Sequence, residues 1–352
     1  MLMKIHHGIG KKLNLREGLG FKYLTHQEQN AYKIILKAFS SISSYFDCSQ
    51  INPGIEIMKV IHTVLGDNPS IIYFNKTQIQ IEKSMFGKKC LLTGIHSKSQ
   101  VEIMNKDLKE TSNKIITFVK EKSTDEYSLL INLYNALQKN IRYNTEEIQA
   151  NAKGTSISPA SHNAYGAIIN KKAVCDGFSS AFALLAKKLG FDCMLVVGNS
   201  AYSSTSFTNH AWNIIKIQEK FYHIDVTWDA RKFNDFKQFS YSYFALKDEE
   251  IANDHKWDKN TTPACSYNDF SFYFKNGLYA DNETQLNDII KTYCDNQLKI
   301  FRFKLSRNIS LPNNTGDYLA QKILNNIKIT GRIQISHSWN EHTRCFFGKI
   351  VS

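Results

Sequence analysis

The stretch Ala173–Gly190, AVCDGFSSAFALLAKKLG, decides the fold. Phe178, Phe182, Leu185 and Leu189 recur at helical spacing and mark a buried side, and Gly190 ends the helix. Cys175 falls on the first turn of that helix. The unpaired N–H groups and the dipole at a helix start favour a thiolate there. A structural cysteine would fit anywhere along the apolar side, so the position directs attention to groups that could use a thiolate.

A cysteine nucleophile needs a base to take its proton and a third group to orient that base. Downstream, DCMLVVG (192–198) reads as a short buried strand. HAWNIIKI (210–217) and KFYHIDVTW (220–228) read as a hairpin closed by Gln218 and Glu219. With a two-residue loop, Ile217 faces Lys220, Trp212 faces Asp225 and His210 faces Thr227. Alternation then puts His210, Trp212, Asp225 and Thr227 on one face. His210 and Asp225 become diagonal neighbours, about 7–8 Å apart at the backbone and within side-chain reach.

Roles follow from that register. Cys175 attacks an amide or acyl carbonyl, His210 shuttles the proton, and Asp225 orients the imidazole. The Cys175 backbone N–H is half of an oxyanion hole, and His162, Asn163 and Tyr165 are the candidate side-chain donors for the other half. Gly177 is expected to leave room for a substrate backbone, Trp212 to wall the cleft, and Trp228 to pack on the opposite side. Taken singly, each of these residues would more often be structural; the ordered set carries the assignment. One Cys, one His and one Asp at this spacing do not make a zinc motif, and neither metal nor cofactor is expected.

The totals are those of a globular chain: 352 residues, 42% hydrophobic and 22% charged. No run of about 18 apolar residues occurs, so no membrane span is expected. The beginning of the chain, MLMKIHHGIGKKLNLREG, lacks the apolar centre of a signal peptide. That points to the cytoplasm, with secretion the alternative if a leader was removed. Seven scattered cysteines, none in C-x-x-C spacing, argue against a disulfide framework and a structural zinc site. The net charge of +12 comes from dispersed lysines without a nucleic-acid motif. A solvated basic surface is the simpler reading. An anionic surface is the second expected partner, and no specific nucleic acid is expected.

Outward from the centre, QEQNAYKIILKAFSSISSYF (27–46) and IEIMKVIHTVLGDNP (55–69) carry helical stripes. TQIQIEKSM and KKCLLTGI form a strand pair turning around Phe86–Gly87, followed by helices from about Gln100 to Lys120 and from Asp125 onward. Asn140–Ile169 has no sustained period and reads as a long loop. After Pro263, FSFYFKNG, QLNDIIKTYCDNQ, LKIFRFKLS, TGDYLAQKILNNI and RIQISHSW read as strand, helix, strand, helix, strand.

NAYGAIINKKAVCDGFSSAFALLAKKLGFDCMLVVG (163–198), NHAWNIIKI (209–217) and FYHIDVTWD (221–229) together resemble the core of the transglutaminase-like superfamily. SYFALKDEEIANDHKWD (242–258) resembles the segment that follows that core in bacterial members, and VLGDNPSIIYF (64–74) an N-terminal helical region that precedes it. The well-matched part runs from about residue 125 to 260. The resemblance implies an α+β fold in which the cysteine helix packs on an antiparallel sheet, as in papain-like peptidases. It also implies that Cys175 is the nucleophile, His210 the base and Asp225 the orienting acid. The expected division is a helical region with a strand pair (1–122), a catalytic core (123–262) and a small α/β module (263–352). Asp254, His255, Trp257 and Asp258 are expected to clamp the core.

Three activities fit. The first is amide hydrolysis on proteins or peptides, slightly favoured. The second is acyl transfer to an amine, which cross-links proteins. The third is a non-catalytic peptide-binding scaffold. Asp125 with Glu126, or Glu249 with Glu250, are too ordinary to be a calcium site, so calcium independence is expected.

Overall fold

The computed structural model describes residues 13–84, 87–201, 206–327 and 333–351. It is an α+β protein with antiparallel sheets. Packing groups the chain into two units. The first holds the described residues of Met1–Phe221, Asp225–Phe239 and Lys256–Ala264; the second holds Tyr222–Ile224, Ser240–His255 and those of Cys265–Ser352. The boundary expected near residue 122 lies inside the first unit.

In the first unit, helix His26–Ser40 buries Ala31, Tyr32, Ile35 and Phe39 against helix Ile57–Asp67, which buries Val60, Ile61, Val64 and Leu65. Both stripes match the expected helices, but the first helix stops at Ser40. Ile42 has a φ of 51°, which breaks it, and Phe46 lies in the strand Tyr45–Asp47 instead. Asp67 pins the chain that leads into the first helix. Its carboxylate accepts from the N–H groups of Gly18, Gly20 and Phe21 and from the Tyr32 hydroxyl. Strands Ile79–Ser84 and Gly87–Leu92 pair antiparallel as expected; the connecting Phe86 lies outside the described residues.

Helices Lys98–Glu121 and Glu126–Asn140 each begin with a reciprocal cap, Ser97 with Gln100 and Asp125 with Ser128. Such caps satisfy two N–H groups that a helix start otherwise leaves unpaired. Helix Cys175–Lys188 follows, with Phe178, Phe182 and Leu185 fully buried. It packs on strands Cys193–Ala201 and Phe207–Ile217, which pair antiparallel with Gly198 opposite His210 and Val196 opposite Trp212. Gln218 and Glu219 close the next turn with φ of 48° and 66°, the left-handed pair of a two-residue hairpin turn.

In the second unit, strand Ile300–Leu305 lies in a four-stranded sheet under helices Glu283–Asp295 and Thr315–Leu324. Leu286, Ile290, Phe301, Phe303, Leu319 and Phe346 make its core. Three expected elements, helix 283–295, strand 300–305 and helix 315–324, are present, as is strand Gln334–Asn340. The aromatic run at Phe272–Lys275 is a single helical turn, capped by Ser271, rather than a strand. A further strand, Cys345–Val351, completes the sheet.

Candidate active site

Cys175 opens its helix, and Val174 before it supplies no side-chain cap. Among the described residues the Cys175 N–H has no side-chain cap, as is usual for the N–H groups of a helix's first turn. The thiol is half-buried and hydrogen-bonds the His210 imidazole. His210 Nε2 lies 2.6 Å from Asp225 Oδ2, which leaves Nδ1 to face the sulfur. Both His210 and Asp225 are buried. Burial alone would lower the His210 pKa, but the Asp225 charge and hydrogen bond, helped by Cys175, outweigh it and push it up to about 9.

Asp225 does not sit on the second hairpin strand. That strand ends at Ile224, and Asp225 is the N-cap of helix Val226–Phe236. Its Oδ1 accepts from the N–H groups of Thr227 and Trp228 at 2.8 and 3.3 Å. One carboxylate thus fixes both the imidazole and a helix start. Asp is a strong N-cap because its side chain satisfies these N–H groups, which is why the alternating pattern does not continue. Thr227, expected opposite His210 on a strand, is inside the helix. Trp228, expected on the far side, packs tilted against the His210 ring at 6.1 Å between centroids. Trp212, expected to wall the cleft, is fully buried and stacks on the His210 ring at 6.0 Å between centroids. Tyr134 donates to the Asp225 carbonyl at 2.9 Å and to Asp229 at 2.7 Å, which anchors the same turn.

The expected loop before Cys175 contains three short helices, Thr145–Asn151, Pro159–His162 and Ala164–Ile168. Glu147 ties them together. Its carboxylate accepts from the N–H groups of Ile157 and Ser158 at 3.1 and 2.7 Å and from the Ser156 hydroxyl. Asn144 donates to Ser161 Oγ at 2.7 Å, and Val174 N–H donates to Ser161 O at 3.0 Å.

This arrangement sorts the oxyanion candidates. His162 lies between two carboxylates, with Nδ1 3.0 Å from Asp176 and Nε2 3.3 Å from Glu147. Burial opposes its protonation, yet Asp176 and then Glu147 raise its pKa. Both ring nitrogens are engaged, so His162 is corrected from oxyanion donor to holder of the Asp176 side chain. Tyr165 sits on a helix packed against Lys98–Glu121, and burial and the Asp107 charge push its hydroxyl up. Asn163 uses Oδ1 to cap that helix, accepting from Tyr165 and Gly166. Its amide group makes no donor bond among the described residues, and it is the candidate that remains.

Gly177 serves a different purpose from the one expected. A Cβ there would lie 2.2 Å from Ser161 O and 2.9 Å from Ala173 Cβ. The space belongs to the chain preceding the nucleophile, not to a substrate. Gly177→Ala is expected to cost about 1–3 kcal/mol through backbone displacement. A thermal melt beside an assay of Cys175 reactivity checks this; unchanged values in both would refute the packing argument.

Two residues near the site carry no recognisable signal in the sequence. Tyr143 lies where Cys175, Asp176 and Asp225 all raise its hydroxyl's pKa on top of burial, and the Arg231 guanidinium sits 5.3 Å from its ring. Lys76 lies on a turn packed against the His162 turn. Burial lowers its ammonium to about 8, with the Asp176 charge opposing. Asp254 and His255, part of the expected clamp, bond each other in the second unit, and Tyr243 donates to Asp254. Trp257, in the first unit, packs edge-on against Trp212 at 5.9 Å.

Comparison with protein families places this geometry. The description "Transglutaminase-like superfamily" matches residues 113–226, which contain Cys175, His210 and Asp225. The chain carries a transglutaminase-like domain. Two solved structures are similar over part of their length. One, described as a TGase, is 17% identical, with 43% of this chain and 44% of that one aligned at a TM-score of 0.33. The other, provisionally named a cysteine protease, from Cytophaga hutchinsonii, is 14% identical over 43% of this chain and 61% of that one, at 0.26. The chain thus spans less than two thirds of either. A comparison with curated proteins finds no match. No described helix is long and apolar enough to cross a membrane.

Proposed function

We propose that this transglutaminase-like domain is a cysteine enzyme that opens amide bonds of proteins or peptides through a thioester, with water as the acceptor. The supporting observation is the buried His210 imidazole, bonded at one nitrogen to Asp225 and at the other to the Cys175 thiol. Cys175 gives its thiol proton to His210, its Sγ attacks the amide carbonyl, and the oxyanion meets the Cys175 N–H. His210 then passes its proton to the leaving amine as the C–N bond breaks. Water attacks the thioester, His210 takes its proton, and the C–S bond breaks to free the acid.

An imidazole held near 9 keeps its proton through neutral pH, so it can act as the acid for the leaving amine. The rate constant kcat/KM is therefore expected to fall as pH rises through about 9, where His210 loses that proton. A flat profile across that range would count against the assignment of His210. The substrate test offers glutamine-containing peptides with and without a primary amine and follows products by mass spectrometry. Cleaved peptide, or glutamate in place of glutamine, supports hydrolysis. An amine adduct made in preference to either would replace water by an amine as the acceptor. Tight peptide binding with no product would favour the scaffold reading.

A further inference from the structure

A second set of metal-type donors lies in the second unit. His223 Nε2, fully buried, is 2.8 Å from Asp248 Oδ1. The Cys265 thiol hydrogen-bonds the same carboxylate. The Asp248 N–H donates to the Cys265 carbonyl at 2.7 Å, which fixes the two ligand-bearing backbones against each other. One donor atom from each of the three residues lies within 4.8 Å of the others.

Imidazole, carboxylate and thiolate together select a borderline transition ion. Calcium and magnesium take oxygen alone, whereas zinc accepts all three donor types. Zinc bonds of about 2.0–2.3 Å put tetrahedral donors roughly 3.3–3.7 Å apart. The His223–Asp248 separation of 2.8 Å is below that range and all three donor atoms lie within 4.8 Å of one another, so binding requires His223 and Asp248 to part slightly. Three protein ligands leave a fourth position. The Asp248 side chain is 22% exposed, so that position has a path to solvent.

We propose that His223, Asp248 and Cys265 form a zinc site, completed by water. The ion displaces the thiol proton to solvent, and the hydrogen bonds centred on Asp248 become bonds to zinc. It would tie together the strand end carrying His223, the turn Asp248–Ile251 and the start of the C-terminal segment. The sequence does not announce such a site, because its ligands have none of the short spacings of zinc motifs.

The test uses the full chain, reduced and chelator-treated, with Cys175→Ser in the background. That substitution is needed because Cys175, His210 and Asp225 offer the same donor types. Cobalt(II) is titrated as the probe. The expected result is one equivalent bound, with a thiolate-to-cobalt charge-transfer band that zinc removes. Adding Cys265→Ser should abolish the band and also the rise in Tm that zinc gives. If that variant fails to fold, His223→Gln provides the same comparison. Absence of the band, or its persistence in either variant, would overturn the proposal and leave a hydrogen-bonded trio only.

Discussion

Cys175→Ala is expected to abolish the acyl-enzyme and lower kcat/KM by about 10⁴-fold or more, the scale on which such sites depend on their nucleophile. The fold should survive, because the side chain is only half-buried and caps nothing. Iodoacetamide should label Cys175 selectively below pH 7, and His210→Ala should slow that labelling. Selectivity follows from the other thiols. Cys48, Cys90, Cys193, Cys265 and Cys345 are buried, and burial pushes the half-buried Cys294 thiol up. Mass spectrometry of the labelled chain locates the adduct. Labelling no faster than that of a free thiol, together with retained activity in Cys175→Ala, would remove this residue from the chemistry.

The second large effect is expected at Asp225. Asparagine there keeps a good helix cap but loses the charge that holds the imidazole. Asp225→Asn should therefore lower kcat by about 10²–10⁴-fold while changing the melt little near pH 9 and above. The pH dependence has a definite sign. His210 is raised in the fold, so its protonation stabilises the protein fully below its ordinary value of 6.5, and that contribution is lost as pH rises through about 9. The stability gap between the natural chain and Asp225→Asn should be widest at acidic pH and close towards about pH 9. Asp225→Ala removes the cap as well, a further cost of about 1 kcal/mol. Melts of the two variants across pH separate the cap from the charge. A gap that widened with rising pH would contradict the His210 assignment.

Cys175 is legible as a candidate nucleophile because one helix carries both an apolar stripe and, on its first turn, the cysteine. His210 is legible because a two-residue loop at Gln218–Glu219 fixes which hairpin residues face each other, although its strand is buried continuously from His210 to Ile215. Asp225 lies beside His210, as the hairpin register expects, but as the cap of a helix rather than on a strand. FYHIDVTW alternates well enough to pass as a continuing strand, while the aspartate's capacity to cap the next N–H groups acts locally and ends it. The short helices before Cys175 are too brief for a period to show, and the same holds for the turn at Phe272. Tyr143 and Lys76 reach the site only through tertiary packing, which no single stretch encodes. The two-residue turn at Gln218–Glu219 follows from the strands on either side, although neither residue is the glycine such a turn favours.

The ties at Glu147 and Asn144 have a consequence for how free energy is distributed at this face of the protein. Segments ordered only by a ligand consume part of its affinity in lost chain entropy. Here the backbone from Asn144 to Val174 is already held by its own carboxylate and amide side chains. Under the proposed function, a peptide arriving at Cys175 would meet a preorganised surface. Its contacts can then go to distinguishing one sequence from another and to aligning the scissile carbonyl, rather than to assembling the wall it binds.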